Sequence, residues 1–163
     1  MELWDVLDEN RQKTGKTIVR GEALNPNEYH LVVFAFIRNS QGKFIISKRT
    51  PNKTSPNKWE VTGGSALAGD DSITAVKREV KEELGIDLTD EGVLIRSVKH
   101  NSECSYFSDI WLFEEDIDME AIVCQPEEVS EARLATKEEI YSLVKEDQFV
   151  AENPAVVGCL AFL

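Results

Sequence analysis

The sequence predicts an α/β domain, helices packed on a mixed β-sheet and preceded by an N-terminal β-hairpin, and three observations carry that prediction. Apolar runs of strand length, rich in β-branched and aromatic residues, recur along the chain, with LVVFAFI over Leu31 to Ile37 the longest. The segment Asp71 to Leu84 carries helical periodicity between clear start and stop signals. Strands stand before, between and after that helix and a second one near the C-terminus, an order that lays helices on a sheet.

Taken in order, Leu3 to Asp8 alternates weakly and is followed by the turn-rich Asn10 to Lys16, which reads as a hairpin within an extension over 1–27. After Leu31 to Ile37, the turn Asn39-Ser40-Gln41-Gly42 leads into Lys43 to Arg49, so these two strands are expected to form a hairpin. Pro51 to Asn57 is a loop, and Trp59 to Thr62 is a short strand running into Gly63-Gly64. Asp71 or Ser72 caps the helix that follows, and Gly85 before apolar Ile86 stops it. Val93 to Val98, Tyr106 to Phe113 and Val129 to Leu134 read as further strands. Thr136 opens the second helix, to about Lys145, with Glu139 completing a capping box. The apolar tail Ala155 to Leu163 is expected to dock on the core.

With 163 residues and no linker or repeat, 1–163 is expected to be one domain. No apolar stretch approaches the roughly 18 residues of a membrane span, and the acidic N-terminus lacks a signal-peptide pattern. Three widely spaced cysteines suit free thiols in a cytoplasmic protein. Two histidines without ligand spacing argue against a transition-metal site and leave a hard, oxygen-bound cation. The net charge of -12 argues against a long nucleic acid as partner. A small phosphorylated metabolite stays open, because a carboxylate-bound cation reverses the local sign.

The chemistry concentrates between Gly64 and Ile86. On a helix turning about 100° per residue, with Glu79 at zero, Glu83 falls near about +40° and Glu82 near about -60°. Three carboxylates therefore share a face bordering the apolar stripe of Ile73, Val76, Val80 and Leu84. Arg78 lies beside Glu82, whereas Lys77 and Lys81 point away. Like charges at this spacing disfavour an isolated helix, and a bound magnesium ion would offset that cost. KREVKEE alone also fits a solvated surface helix.

The wider spacing decides between these readings. Gly64, then five residues, Asp70, then seven, then REVKEELGI from Arg78 to Ile86, closely resembles the Nudix box, Gly-x5-Glu-x7-Arg-Glu-U-x-Glu-Glu-x-Gly-U with U aliphatic. Eight of the nine fixed positions match over 23 residues, and Asp70 alone departs, keeping a carboxylate shorter by one methylene. The resemblance implies a Nudix-type α/β/α sandwich and a Mg2+- or Mn2+-dependent hydrolase of a diphosphate linkage. It implies Glu79 and Glu83 as direct metal ligands, Glu82 sharing the metal or its water, and a backbone carbonyl of Gly63 or Gly64 adding to them. Arg78 would orient the carboxylates, and the general base would be Glu79 or the acidic run Glu127-Glu128. Single-domain members are often homodimers, so a homodimer is an expectation that no residue pattern locates.

ELWDVLDEN, SKRTPNKTSPNKWEVTGG and FSDIWLF resemble Nudix proteins related to isopentenyl-diphosphate isomerase. The isomerase cysteine has no counterpart in Trp59 to Ser65, which favours hydrolysis. Lys48, Arg49, Lys53 and Lys58 would meet substrate phosphates or are solvated loop residues. Trp59, Phe107 and Trp111 stack on a base or belong to the core. A Nudix-fold sensor that binds without cutting is the second reading, and the isomerase the third.

Overall fold

The computed structural model describes residues 1–163 throughout. β1 (Leu3–Leu7) and β2 (Lys13–Val19) pair antiparallel as the expected N-terminal hairpin. Backbone bonds between Leu7 and Tyr29 of 2.8 and 2.9 Å tie the hairpin to the main sheet. Trp4 adds a stacked contact on His30, with ring centroids 4.2 Å apart.

β3 (His30–Arg38) is the central strand, and its two faces explain its continuous apolar run. Val33, Ala35 and Ile37 face one helical layer, while Phe36 faces the other. β4 (Phe44–Arg49) follows the expected turn, which is closed by Asn39 N–H donating to Lys43 O at 2.9 Å. The pairing of β3 with β4 is nevertheless confined to Arg38 and Phe44. β5 (Trp59–Glu60) joins β4, and β6 (Thr62–Ser65) takes the edge of β3 that a full hairpin would have used, pairing Val32 with Ser65 through Ala35 with Thr62. The strands leaving the turn thus splay apart, each finding a different partner.

α1 (Ser72–Leu84) crosses to β7 (Val93–His100), which pairs antiparallel with β8 (Tyr106–Glu114). β8 runs parallel to β3 along its whole length, from His30 opposite Tyr106 to Arg38 opposite Glu114. β9 (Val129–Ala135) pairs antiparallel with β4. The sheet is mixed, with backbone order β5-β4-β3-β8-β7.

α1 covers one face, where Val76, Val80 and Leu84 pack on Val33, Ala35, Ile37 and Phe113. α2 (Lys137–Lys145), α3 (Pro154–Cys159) and the turn after α3 cover the other, through Ile140, Val156 and Leu160 on Phe36, Phe44, Ile46 and Ile110. The result is the α/β/α sandwich. Thr136 and Glu139 form the expected capping box on α2. α3 is the docked apolar tail, capped by Asn153 with Pro154 in its first turn, where a missing N–H costs nothing. No helix is long and apolar enough to cross a membrane.

Candidate active site

The acidic face is aimed by the way α1 is capped and packed. Asp71 accepts from Thr74 N–H at 2.8 Å at one end, and Gly85, at φ 70°, ends the helix in a left-handed turn at the other. Val76, Val80 and Leu84 are fully buried, which sets the rotation of the helix about its axis. Glu83 is thereby buried against the sheet, Glu79 is partly covered and Glu82 reaches solvent. On β6, Gly64 approaches so closely that a Cβ would lie 2.4 Å from the Glu79 carboxyl carbon, so only glycine leaves that carboxylate its room.

Arg78 organises one half of the site. Its Nη1 donates to Glu79 Oε1 at 3.0 Å and to Glu82 Oε2 at 3.1 Å. Its Nε donates to Asp70 Oδ2 at 3.1 Å, and its Nη2 to the Ser65 carbonyl at 3.1 Å. Burial works to lower the Arg78 pKa, but Glu79, Asp70 and Glu82 outweigh it and raise it.

The other half centres on Glu83. Lys53, from the loop after β4, stands 3.9 Å from Glu83 Oε1 and is ion-paired with Glu128. Glu128 is held beside β4 by its carbonyl, which accepts from Thr50 N–H at 3.3 Å. Glu83 Oε2 is buried without a hydrogen-bond partner. Burial pushes the Glu83 carboxyl up to about 8, helped by Glu60 and opposed by Lys53. Burial also raises the carboxyls of Glu79 and Glu60. The carboxylates do not converge on one ligand point: Arg78 draws Glu79 and Glu82 one way, and Lys53 draws Glu83 and Glu128 the other.

Glu60 is the residue that sequence reading overlooked. Its neighbours Trp59 and Val61 join the core below the sheet, so alternation turns Glu60 toward the acidic face. There it accepts from Arg49 Nη1 at 2.7 Å. Glu60, Arg49, Gly63 and Gly64 also line a cavity of about 220 Å³ whose other walls include Phe34, Tyr106 and Asn153. Asn153 is buried; its Oδ1 accepts from Ala155 N–H at 3.1 Å, and its Nδ2 has no partner.

The four basic residues grouped by sequence separate in space. Arg49 and Lys53 join the carboxylates, whereas Lys48 lies over the Trp59 ring, 5.7 Å from its centroid, and Lys58 pairs with Asp147 at 2.6 Å. Glu127 is exposed and contributes its carbonyl to Thr50 Oγ1 at 2.9 Å. The three aromatics are packing residues: Trp59 is core, Phe107 packs on Tyr29, and Trp111 donates to Ser72 Oγ at 2.9 Å.

A model of the NUDIX domain family matches residues 28–156. An uncharacterized Nudix hydrolase of Listeria monocytogenes is 43% identical over 152 residues, covering 92% of this chain and 89% of that protein. Nudix hydrolase 3 of Arabidopsis thaliana is 32% identical over 170 residues, covering 96% of this chain but 21% of the plant protein. Among solved structures, a Deinococcus radiodurans protein superposes with a TM-score of 0.73 at 25% identity, covering 97% of this chain and 99% of that one. The MutT protein of Methanosarcina mazei superposes with a TM-score of 0.66 at 22% identity, covering 82% and 94% of the two chains.

Proposed function

The chain belongs to the Nudix family of pyrophosphohydrolases, and on that premise we propose that it is a Mg2+- or Mn2+-dependent enzyme cleaving the diphosphate linkage of a small nucleoside-diphosphate-X or related phosphorylated metabolite, acting in the cytoplasm with 1–163 as one catalytic unit. The observation that carries the reading is Glu83, a buried carboxylate with one oxygen unpartnered, set among further carboxylates. An oxygen-only donor set of this kind fits a hard divalent cation and no softer one. Glu79, Glu82 and Glu83 would hold the ion, with the Gly64 carbonyl as a further ligand. When bound, the ion polarises the phosphoryl group and acidifies the attacking water.

The chain's own residues supply the rest. Arg78 holds Glu79 and Glu82 together as a pair, so that ligand binding has chiefly to bring Glu83 toward them. Arg49 and Lys53 offer positive charge to the diphosphate oxygens. Glu128, paired with Lys53 beside Glu83, is suited to take the proton of the attacking water, and Glu79 is the other candidate base. The cavity next to Gly63 and Gly64 would take X. Its aromatic walls, Phe34 and Tyr106, and the unpaired Asn153 amide donor favour a flat ring bearing an acceptor over a saturated chain.

The test is phosphate release from a panel of nucleotide, coenzyme and isoprenoid diphosphates with Mg2+, Mn2+ or chelator, with Glu82→Gln and Glu83→Gln as controls. Metal-dependent release that disappears in a folded Glu83→Gln protein is the expected result. Silence across the panel, with tight metal-assisted binding of one compound, would replace the hydrolase by a sensor. Near-normal turnover in Glu83→Gln would sink the ligand assignment.

A further inference from the structure

We propose that Lys53 is a built-in counter-cation, standing between Glu83 and Glu128 while the enzyme rests and released toward the diphosphate when a divalent ion takes its place. The inference rests on the metal-dependent reading above and concerns what this side chain does before and after loading.

The charges around the site explain why a lysine is there. Three cations, Arg78, Arg49 and Lys53, serve six carboxylates. Arg78 is committed to Asp70, Glu79 and Glu82, and Arg49 to Glu60. Lys53 is the one cation available to Glu83 and Glu128. Two uncompensated carboxylates side by side, one of them buried, would be costly to hold in a folded chain.

Lys53 stands beside Glu83 without satisfying it. Its Nζ reaches only Oε1, at 3.9 Å, and leaves Oε2 without a partner. A compact divalent ion offers both more charge and closer approach, so the carboxylates should prefer it. Once it arrives, a neighbouring ammonium is repelled.

The surroundings allow the lysine to leave. The loop carrying it is anchored beside Lys53, by Arg49 Nε donating to Thr54 O at 2.6 Å and Nη2 to Thr54 Oγ1 at 3.0 Å. Those anchors do not involve the Lys53 side chain, whose flexible stem can swing while the loop backbone stays. Arg49, which also lines the cavity, is held by Glu60, so Lys53 is the cation left to turn toward the diphosphate. Metal and diphosphate binding become coupled, because each removes a competitor of the other.

Two measurements on the full chain test this. Mn2+ affinity, titrated by electron paramagnetic resonance without nucleotide, should tighten about tenfold in Lys53→Met. In the wild-type protein, acylation of Lys53 by an amine-reactive reagent, read by peptide mass spectrometry, should rise several-fold with Mg2+ and fall again when methylenediphosphonate is added. Unchanged or weaker Mn2+ binding in a folded Lys53→Met protein would overturn the proposal. If that variant does not fold, Lys53 acylation indifferent to Mg2+ in the wild type overturns it alone. Absence of Mn2+ binding in wild type and variant alike would instead refute the metal-dependent reading beneath it.

Discussion

Asp70 Oδ2 lies 3.1 Å from Arg78 Nε, and the same guanidinium reaches Glu79 and Glu82 through Nη1. The shortened carboxylate at the one departing position of the box is therefore engaged with the arginine that aligns the acidic face. Asp70 also accepts from Leu67 N–H at 3.2 Å, which fastens the loop ahead of α1.

Arg78→Lys is expected to lower kcat about 100-fold with little change in Tm, because an ammonium cannot hold several partners in the geometry of a fork. Asp70→Glu should stay within a few-fold of wild type. Steady-state kinetics at saturating Mg2+ and a thermal melt check both; equal loss of kcat and Tm in Arg78→Lys would mean that its role is folding alone.

Gly64→Ala should fold and still fail. The added methyl meets the far end of a flexible side chain, Glu79, rather than backbone, so the chain can yield. What yields is a proposed metal ligand, and activity should drop by roughly 10–100-fold, the usual cost of disturbing a ligand's setting. A crystal structure or Mn2+ titration of the variant locates the effect; full activity would remove Gly64 and Glu79 from the site together.

Asn153 caps α3 and, on the proposed reading, also meets X, two roles that substitution can separate. Serine keeps the cap on α3 but removes the amide donor, whereas alanine removes both. Asn153→Ser should raise KM for the best substrate about tenfold, the effect of about 1.4 kcal/mol of lost binding, with Tm unchanged. Asn153→Ala should raise KM similarly and cost about 1 kcal/mol of stability. An unaltered KM in both would mean that the amide does not touch the substrate.

Burial, aided by the positive charge of Arg20, lowers the His30 pKa from 6.5 to about 4. The folded pKa lies below the unfolded one, so the unfolded chain takes up the proton first. Stability from the neutral ring is complete above about 6.5 and is lost as pH falls toward about 4. His30→Phe, which preserves a ring against Trp4, should flatten the fall in stability between pH 6.5 and 4 relative to wild type by roughly 2–3 kcal/mol. Urea melts of both proteins across that range check the difference, and parallel curves would contradict it.

How much of this was legible in sequence differs by element and has a physical cause in each case. α1 was readable because its signals are local: Asp71, the apolar stripe and Gly85 lie within one segment. β3 was readable as a strand, but its partners were not, since an apolar run announces burial on both faces and says nothing of which strand lies alongside. The turn at Asn39 to Gly42 suggested a hairpin, and only Arg38 and Phe44 pair there. The same limit affected the basic residues: adjacent on a strand, Lys48 and Arg49 must face opposite ways, which proximity in sequence conceals. Glu60 could have been found from that alternation, between Trp59 and Val61.

The parallel ladder of β3 with β8 has a consequence for the newly made chain. Arg38 and its partner Glu114 are separated by 76 residues. At roughly 5–20 residues per second, a ribosome needs about 4–15 s to deliver the partner after the strand itself has emerged. For that interval the β8 edge of LVVFAFI stays open in an uncharged, β-prone segment, the composition that self-associates most readily. Soluble yield should therefore depend on what shields this segment during synthesis, and slower translation would lengthen the exposure.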